Sequence, residues 1–148
     1  TKLVDDMHGL FRGKPTFDDD VGCWNVAAVE DMYSMFQDAT VFNQDITRWD
    51  VSKVTKDMEF MFDGAHAFNQ DIDKWSVGKV TGMQKMFYNA KSFNFNLDSW
   101  DVSKVTDFML MFGGADSFDQ DLCWTEKTTL VLGKYMFAGS KGSANCVV

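Results

Sequence analysis

Few residues in this chain have the type and spacing to do chemistry, and the strongest set is a column of carboxylates. Asp20, Asp45, Asp71, Asn96 and Asp121 recur at one register of a repeating pattern. Lined up in stacked turns, such side chains repel one another and need backbone N–H groups, water or a cation such as calcium. The backbone-turn role is the better reading, and calcium on this ladder is the alternative. A neighbouring column, Asp18, Asn43, Asn69, Asn94 and Asp119, reads as an amide ladder closing the turn.

Other reactive groups lack partners at a useful spacing. His8 and His66 sit at variable columns with no Cys, Asp or Ser placed to make a nucleophilic apparatus, so no enzyme is expected. Nine of the ten methionines fall in two columns that read as core, leaving only Met109 outside, and core filling outweighs a soft-metal site. Lys53, Lys79 and Lys104 form a solvated column beside Asp50 and Asp101. Cys123 precedes Trp124, and Cys146 falls in the ladder column one turn on. A Cys123–Cys146 bridge that pins the C-terminal cap is therefore expected, with Cys23 unpaired, which implies an oxidising compartment.

The chain has 148 residues and a hydrophobic fraction of 45 %, enough for one packed domain and too apolar for intrinsic disorder. Its net charge of −8 argues against nucleic acid and against anionic membrane surfaces. No apolar run reaches the length of a membrane span, so no direct membrane insertion is expected. Because the first residue is Thr1, the chain reads as a mature or excised segment.

The elements that would position these residues come from an internal repeat. Trp24, Trp49, Trp75, Trp100 and Trp124 are separated by 25, 26, 25 and 24 residues, and Phe17, Phe42, Phe68, Phe93 and Phe118 by 25, 26, 25 and 25. A Met-Phe pair recurs from Met35-Phe36 to Met136-Phe137. Three columns keeping one period mean stacked units. Within a unit, Met32, Met35, Phe36 and Ala39 have the spacing of a short helix, with Thr55, Thr81 and Thr106 as N-caps and Gly64, Gly114 and Gly139 at its end. Residues 46–51 alternate as a short strand. The expected fold is an α/β repeat solenoid, one helix and one parallel strand per turn, right-handed as parallel crossovers are. It occupies residues 1–148 as a single domain of about five repeats plus a partial C-terminal capping repeat.

The runs Phe68-Asn69-Gln70-Asp71-Ile72-Asp73-Lys74-Trp75 and Trp100-Asp101-Val102-Ser103-Lys104-Val105-Thr106-Asp107 resemble the 25-residue repeat of BspA-like surface proteins and mycoplasma-type lipoproteins. That resemblance implies a leucine-rich-repeat-like solenoid, extracellular or on the cell surface, without catalytic residues and with adhesion or partner binding as its role. Phe108, Gly133 and Ser143 depart from the repeat, so the last unit reads as a capping one. Several polar columns carry apolar residues: Tyr33, Phe60, Tyr88, Phe95, Met109 and Leu110 are the candidate binding residues, for a protein or glycan on a cell surface or matrix. A structural spacer and a calcium-binding protein are the alternatives.

Overall fold

The computed structural model describes residues 5–124 and 135–144. Each period of the sequence forms one coil: 5–29, 30–54, 55–80, 81–105 and 106–124, with 135–144 belonging to a sixth. The coils stack so that each repeated side chain lies on its own copy. Phe36, Phe62, Phe87 and Phe112 follow one another at ring-centroid distances of 5.7, 5.6 and 5.4 Å with planes within 11°. Phe42, Phe68, Phe93 and Phe118 make a second column at 6.1, 6.0 and 6.0 Å. Within a coil the two columns touch, as Phe62 and Phe68 do at 3.9 Å. Met, Val and Trp columns complete one continuous core from Met7 to Met136. No single coil could bury such rings alone, and stacking supplies the missing walls.

The expected helix and strand are not there. Among the described residues there is no helix, and strand pairing is limited to isolated parallel bridges, Asp6 with Asp31, Asp57 with Gly82, Gly82 with Asp107 and Asp121 with Ser143. The chain is therefore not an α/β solenoid of the leucine-rich-repeat kind. Its right-handed twist was expected from a strand–crossover–strand unit, and that unit is absent among the described residues.

The reason lies in where the amides point. In residues 32–39 the N–H groups alternate. Met35, Gln37 and Ala39 donate three residues back, to Met32, Ser34 and Phe36, while Met32, Ser34, Phe36 and Asp38 donate to Asp57, Glu59, Met61 and Asp63 of the next coil at 2.7–3.3 Å. A helix would spend all of them four residues back. The apolar spacing of 3 and 4 fixes which side chains face inward, and consecutive tight turns satisfy it as well as a helix does. All four of Met32, Met35, Phe36 and Ala39 are fully buried.

Such turns need left-handed residues at their third position. One column supplies Gly13, Asp38, Gly64, Asn89, Gly114 and Gly139, and another supplies Gly9, Ser34, Phe60, Lys85 and Leu110, all with φ between 52° and 83°. Gly64, Gly114 and Gly139 are thus turn residues and not helix ends. The threonines are not N-caps either: Thr81 and Thr106 donate from backbone and hydroxyl to Lys56 and Thr81 of the coil before.

The remaining seams run in that same backward sense. Trp49, Trp75, Trp100 and Trp124 each donate the indole N–H to a backbone carbonyl of the preceding coil, Val21, Ile46, Ile72 and Leu97, at 3.0–3.2 Å. The amide column does likewise. The Asn43, Asn69, Asn94 and Asp119 backbone N–H groups donate to the side-chain oxygens of Asp18, Asn43, Asn69 and Asn94. It therefore sews one coil to the next, where a closure within each turn was expected.

Candidate functional site

The forward-bonded seam forms one long face whose backbone repeats while its side chains do not. Three columns line it: His8, Tyr33, Glu59, Gln84 and Met109; Gly9, Ser34, Phe60, Lys85 and Leu110; and Arg12, Gln37, Asp63, Tyr88 and Gly113, of which Ser34 and Gly113 are buried. The aromatic members gather on the first four coils. The His8 ring stacks on Tyr33 at 4.7 Å, Tyr33 tilts against Phe60 at 5.5 Å, and Lys85 Nζ lies 5.7 Å from the Phe60 ring centre and 5.1 Å from that of Tyr88. A cation held between two rings is worth about 0.5–1 kcal/mol at an exposed site. Beside it, Gln37 Nε2 donates to Asp63 at 2.9 Å.

Of the candidate binding residues, Tyr33, Phe60 and Tyr88 belong to this cluster. Met109 and Leu110 extend the same face one coil further, Met109 being 48 % exposed. Phe95 does not belong: it lies in the column of Gln70 and Gln120 and packs its ring against the core. His8 and Lys85 were missed as binding residues. The signal for Lys85 was the column it shares with Gly9, because a position that takes Gly, Phe, Lys and Leu is outward-facing and backbone-strained. Ordinary residues in the left-handed region cost about 1–2 kcal/mol each, and Phe60, Lys85 and Leu110 stand there at φ 58°, 52° and 56°.

The carboxylate column lies elsewhere, and Asp20 and Asp45 line one shallow pocket with Gly22, Cys23 and Arg48. Asp20, Asp45, Asp71 and Asn96 each accept the backbone N–H two residues on, from Gly22, Thr47, Asp73 and Asp98. Asp121 accepts from the Ser143 hydroxyl. Among the described residues no group of three or more His, Cys, Asp or Glu is placed to hold a metal ion. Cys23 is an exposed free thiol. Cys123 is disulfide-bonded, and Cys146, the partner expected for it, lies outside the described residues.

At the edge of the face runs a second acidic column, Asp6, Asp31, Asp57, Gly82 and Asp107. Burial, and then the Asp31 charge, raises the Asp57 carboxyl above its ordinary range. Burial, and then Asp57 and Asp107, does the same to Glu59, and burial raises Asp63. A carboxyl raised in the folded state binds protons there before the unfolded chain does, so it adds stability as pH falls. Hydrogen bonds from Thr47 and Ser52 hold Asp45 and Asp50 below their ordinary range, and those contributions are lost at lower pH. The thermal midpoint is therefore expected to rise from neutrality toward the ordinary carboxylate range and to fall beneath it. Asp57→Asn with Glu59→Gln should flatten the rise; a midpoint that only declines on acidification would contradict this account.

A family model described as a Mycoplasma protein of unknown function, DUF285, matches residues 1–77 and 55–146. Neither a curated protein nor a solved structure matches the chain.

Proposed function

The chain belongs to this Mycoplasma family of unknown function, and from that premise we propose that it is a non-enzymatic binding module, secreted or held at a cell surface. Its aromatic face takes a protein or glycan partner, a role it would share with BspA-like surface proteins. The observation that carries this reading is the left-handed backbone under Phe60, Lys85 and Leu110. Gly9 fills that column at no cost, so bulky residues there oppose stability and need another reason to be present. Backbone strain concentrates where side chains are held out for recognition. Around Lys85 the rings of Phe60 and Tyr88 offer flat apolar surface beside a fixed charge, the combination that anchors protein and sugar contacts.

An array of matrix proteins and glycans, probed with the chain and with Tyr33→Ser/Phe60→Gly/Tyr88→Ser, tests the reading. At least about a tenfold loss of binding is expected for the triple variant, since anchors at an interface centre carry most of its affinity. Phe60→Gly alone should leave the thermal midpoint unchanged or raise it, because relief of about 1–2 kcal/mol of left-handed strain offsets the lost ring contacts. A variant that binds as the parent does while losing stability would make this face mere scaffold.

A further inference from the structure

On the interior coils the aromatic face carries more negative charge than its own residues satisfy. Asp31, Asp57 and Asp107 stand half-buried in its edge column, and Glu59 follows Tyr33 in the column beside it. The ion pairs found among the described residues, Lys74 with Asp73 and Lys91 with Asp116, involve none of these four. Asp31 and Asp107 each accept the backbone N–H two residues on, from Tyr33 and Met109. The carboxylates of Asp57 and Glu59 accept no hydrogen bond among the described residues. Nor do they stand apart. A Cβ added to Gly82 would meet Asp57 Oδ1 at 2.5 Å and Glu59 Oε1 at 2.8 Å, so the two carboxylates converge over bare backbone. Lys56 offsets part of the charge on Asp57, and the pair still sets like charges together at a cost to the fold.

A second set of unfilled groups lies on the same face. Ser34 Oγ and Gln37 Oε1 are buried and have no hydrogen-bond partner among the described residues, and Ser34 is 1 % exposed. Ser34 adjoins Tyr33 in the chain, and its N–H bonds the Glu59 carbonyl. Buried polar groups are ordinarily paired, so unfilled ones call for a reason. Both atoms can accept, as the Asp57 and Glu59 carboxylates can, and the face as a whole asks for donors. Its rings suit a donor that carries charge. Tyr33 and Phe60 tilt against each other beside Glu59, and Phe60 and Tyr88 hold the Lys85 ammonium between them.

We infer that the partner of this face is a basic polypeptide segment, one of whose arginines lies over Tyr33 and Phe60 with its guanidinium against Asp57 and Glu59. The inference rests on reading the face as a binding surface, and it names what binds there. A guanidinium brings five N–H donors in one plane, pairs with carboxylates and stacks on aromatic rings. The hydroxyls of a neutral glycan would leave the Asp57 and Glu59 charges uncompensated. A second copy of the chain, at net charge −8, is repelled.

Fluorescence anisotropy of the whole chain with a labelled peptide of alternating arginine and serine is the test. The same peptide is run with citrulline, which keeps the shape and loses the charge, and with lysine. The arginine peptide is expected to bind at least about tenfold more tightly than the citrulline one, and more tightly than the lysine one. Asp57→Asn/Glu59→Gln should abolish that preference. Asp71→Asn/Asp119→Asn, which takes two charges from exposed columns off this face, should leave affinity within about twofold. Gly82→Ala keeps every charge but parts the carboxylates, and should weaken the arginine peptide by about threefold or more. Circular dichroism and the thermal midpoint report whether each variant keeps its fold, and the peptide comparison needs only the parent chain. Affinity for the arginine peptide no greater than for the citrulline or lysine one overturns the inference. So does an equal loss from Asp71→Asn/Asp119→Asn, which would make net charge the whole attraction, or a folded Gly82→Ala that binds as the parent does. If the parent ignores the arginine peptide yet takes arrayed glycans or proteins through Tyr33, Phe60 and Tyr88, the inference falls and the binding reading stands. If it binds nothing in either assay, both fall.

Discussion

Trp75→Ala is expected to lower the free energy of unfolding by about 3–5 kcal/mol, the range for a large aromatic lost from a core. Trp75 is 3 % exposed, lies parallel to Trp49 at 6.5 Å, and donates its indole N–H to the Ile46 carbonyl at 3.2 Å. Truncation removes the ring from the column and leaves that carbonyl with only the Trp49 N–H as donor. Trp75→Phe, which keeps most of the surface and loses the bond, isolates the second effect at about 1 kcal/mol. Trp24→Ala is expected to cost far less, since Trp24 is 40 % exposed. Urea unfolding of the three variants measures all of this. Equal losses at Trp24 and Trp75 would contradict a stack in which each coil depends on its neighbours.

Gly64→Val is the second large effect, at about 2–4 kcal/mol, from strain and crowding together. Gly64 stands at φ 69°, where a β-branched residue is an outlier. A Cβ there would meet Asp38 Oδ1 at 2.6 Å. The column explains the crowding: Gly13, Asp38, Gly64, Asn89 and Gly114 alternate bare and substituted backbone, because each short polar side chain fills the space beside the next glycine. Asp38→Gly/Gly64→Val should recover the crowding and keep the strain. Asp38→Gly/Gly64→Asn should recover most of both, Asn being tolerant of this backbone region. If Gly64→Val unfolded at the same denaturant concentration as the parent, the left-handed column would have no energetic meaning.

How much of this was legible follows from which property each residue type reports. The period and the buried set were legible, because Trp, Phe and Met recurring at 25 or so residues have nowhere to go but inward. Met35 and Phe36 are buried as their spacing implied. Conformation was not legible from the same residues. Apolar spacing is silent about which carbonyl an amide seeks, and Ser34 N–H seeks Glu59 a coil away, not a residue of its own turn. Thr81 followed by Gln84 looks like a helix cap, yet a hydroxyl that bonds a carbonyl one coil back leaves the same trace. Gly64 and Gly114, with Asp38 and Asn89 between them, did carry the clue, since all three residue types enter the left-handed region readily. A helix end asks for the same residues, and the two readings could not be separated. At the aromatic face, Tyr33 and Phe60 stood out as apolar members of polar columns. Lys85 did not, because a lysine on a surface column is unremarked until its neighbours are known.

The opposed sense of the seams has an electrostatic consequence. Along one side of the stack N–H groups point toward later coils, whereas the Trp indoles, the threonines and the amide column point toward earlier ones. In an α-helix every peptide dipole adds to the last, and the sum leaves partial charges at the two termini. Here the contributions of the two sides oppose each other along the axis, so lengthening the stack by further coils builds up little macrodipole. The backbone dipoles therefore set no ceiling on the length of such a stack.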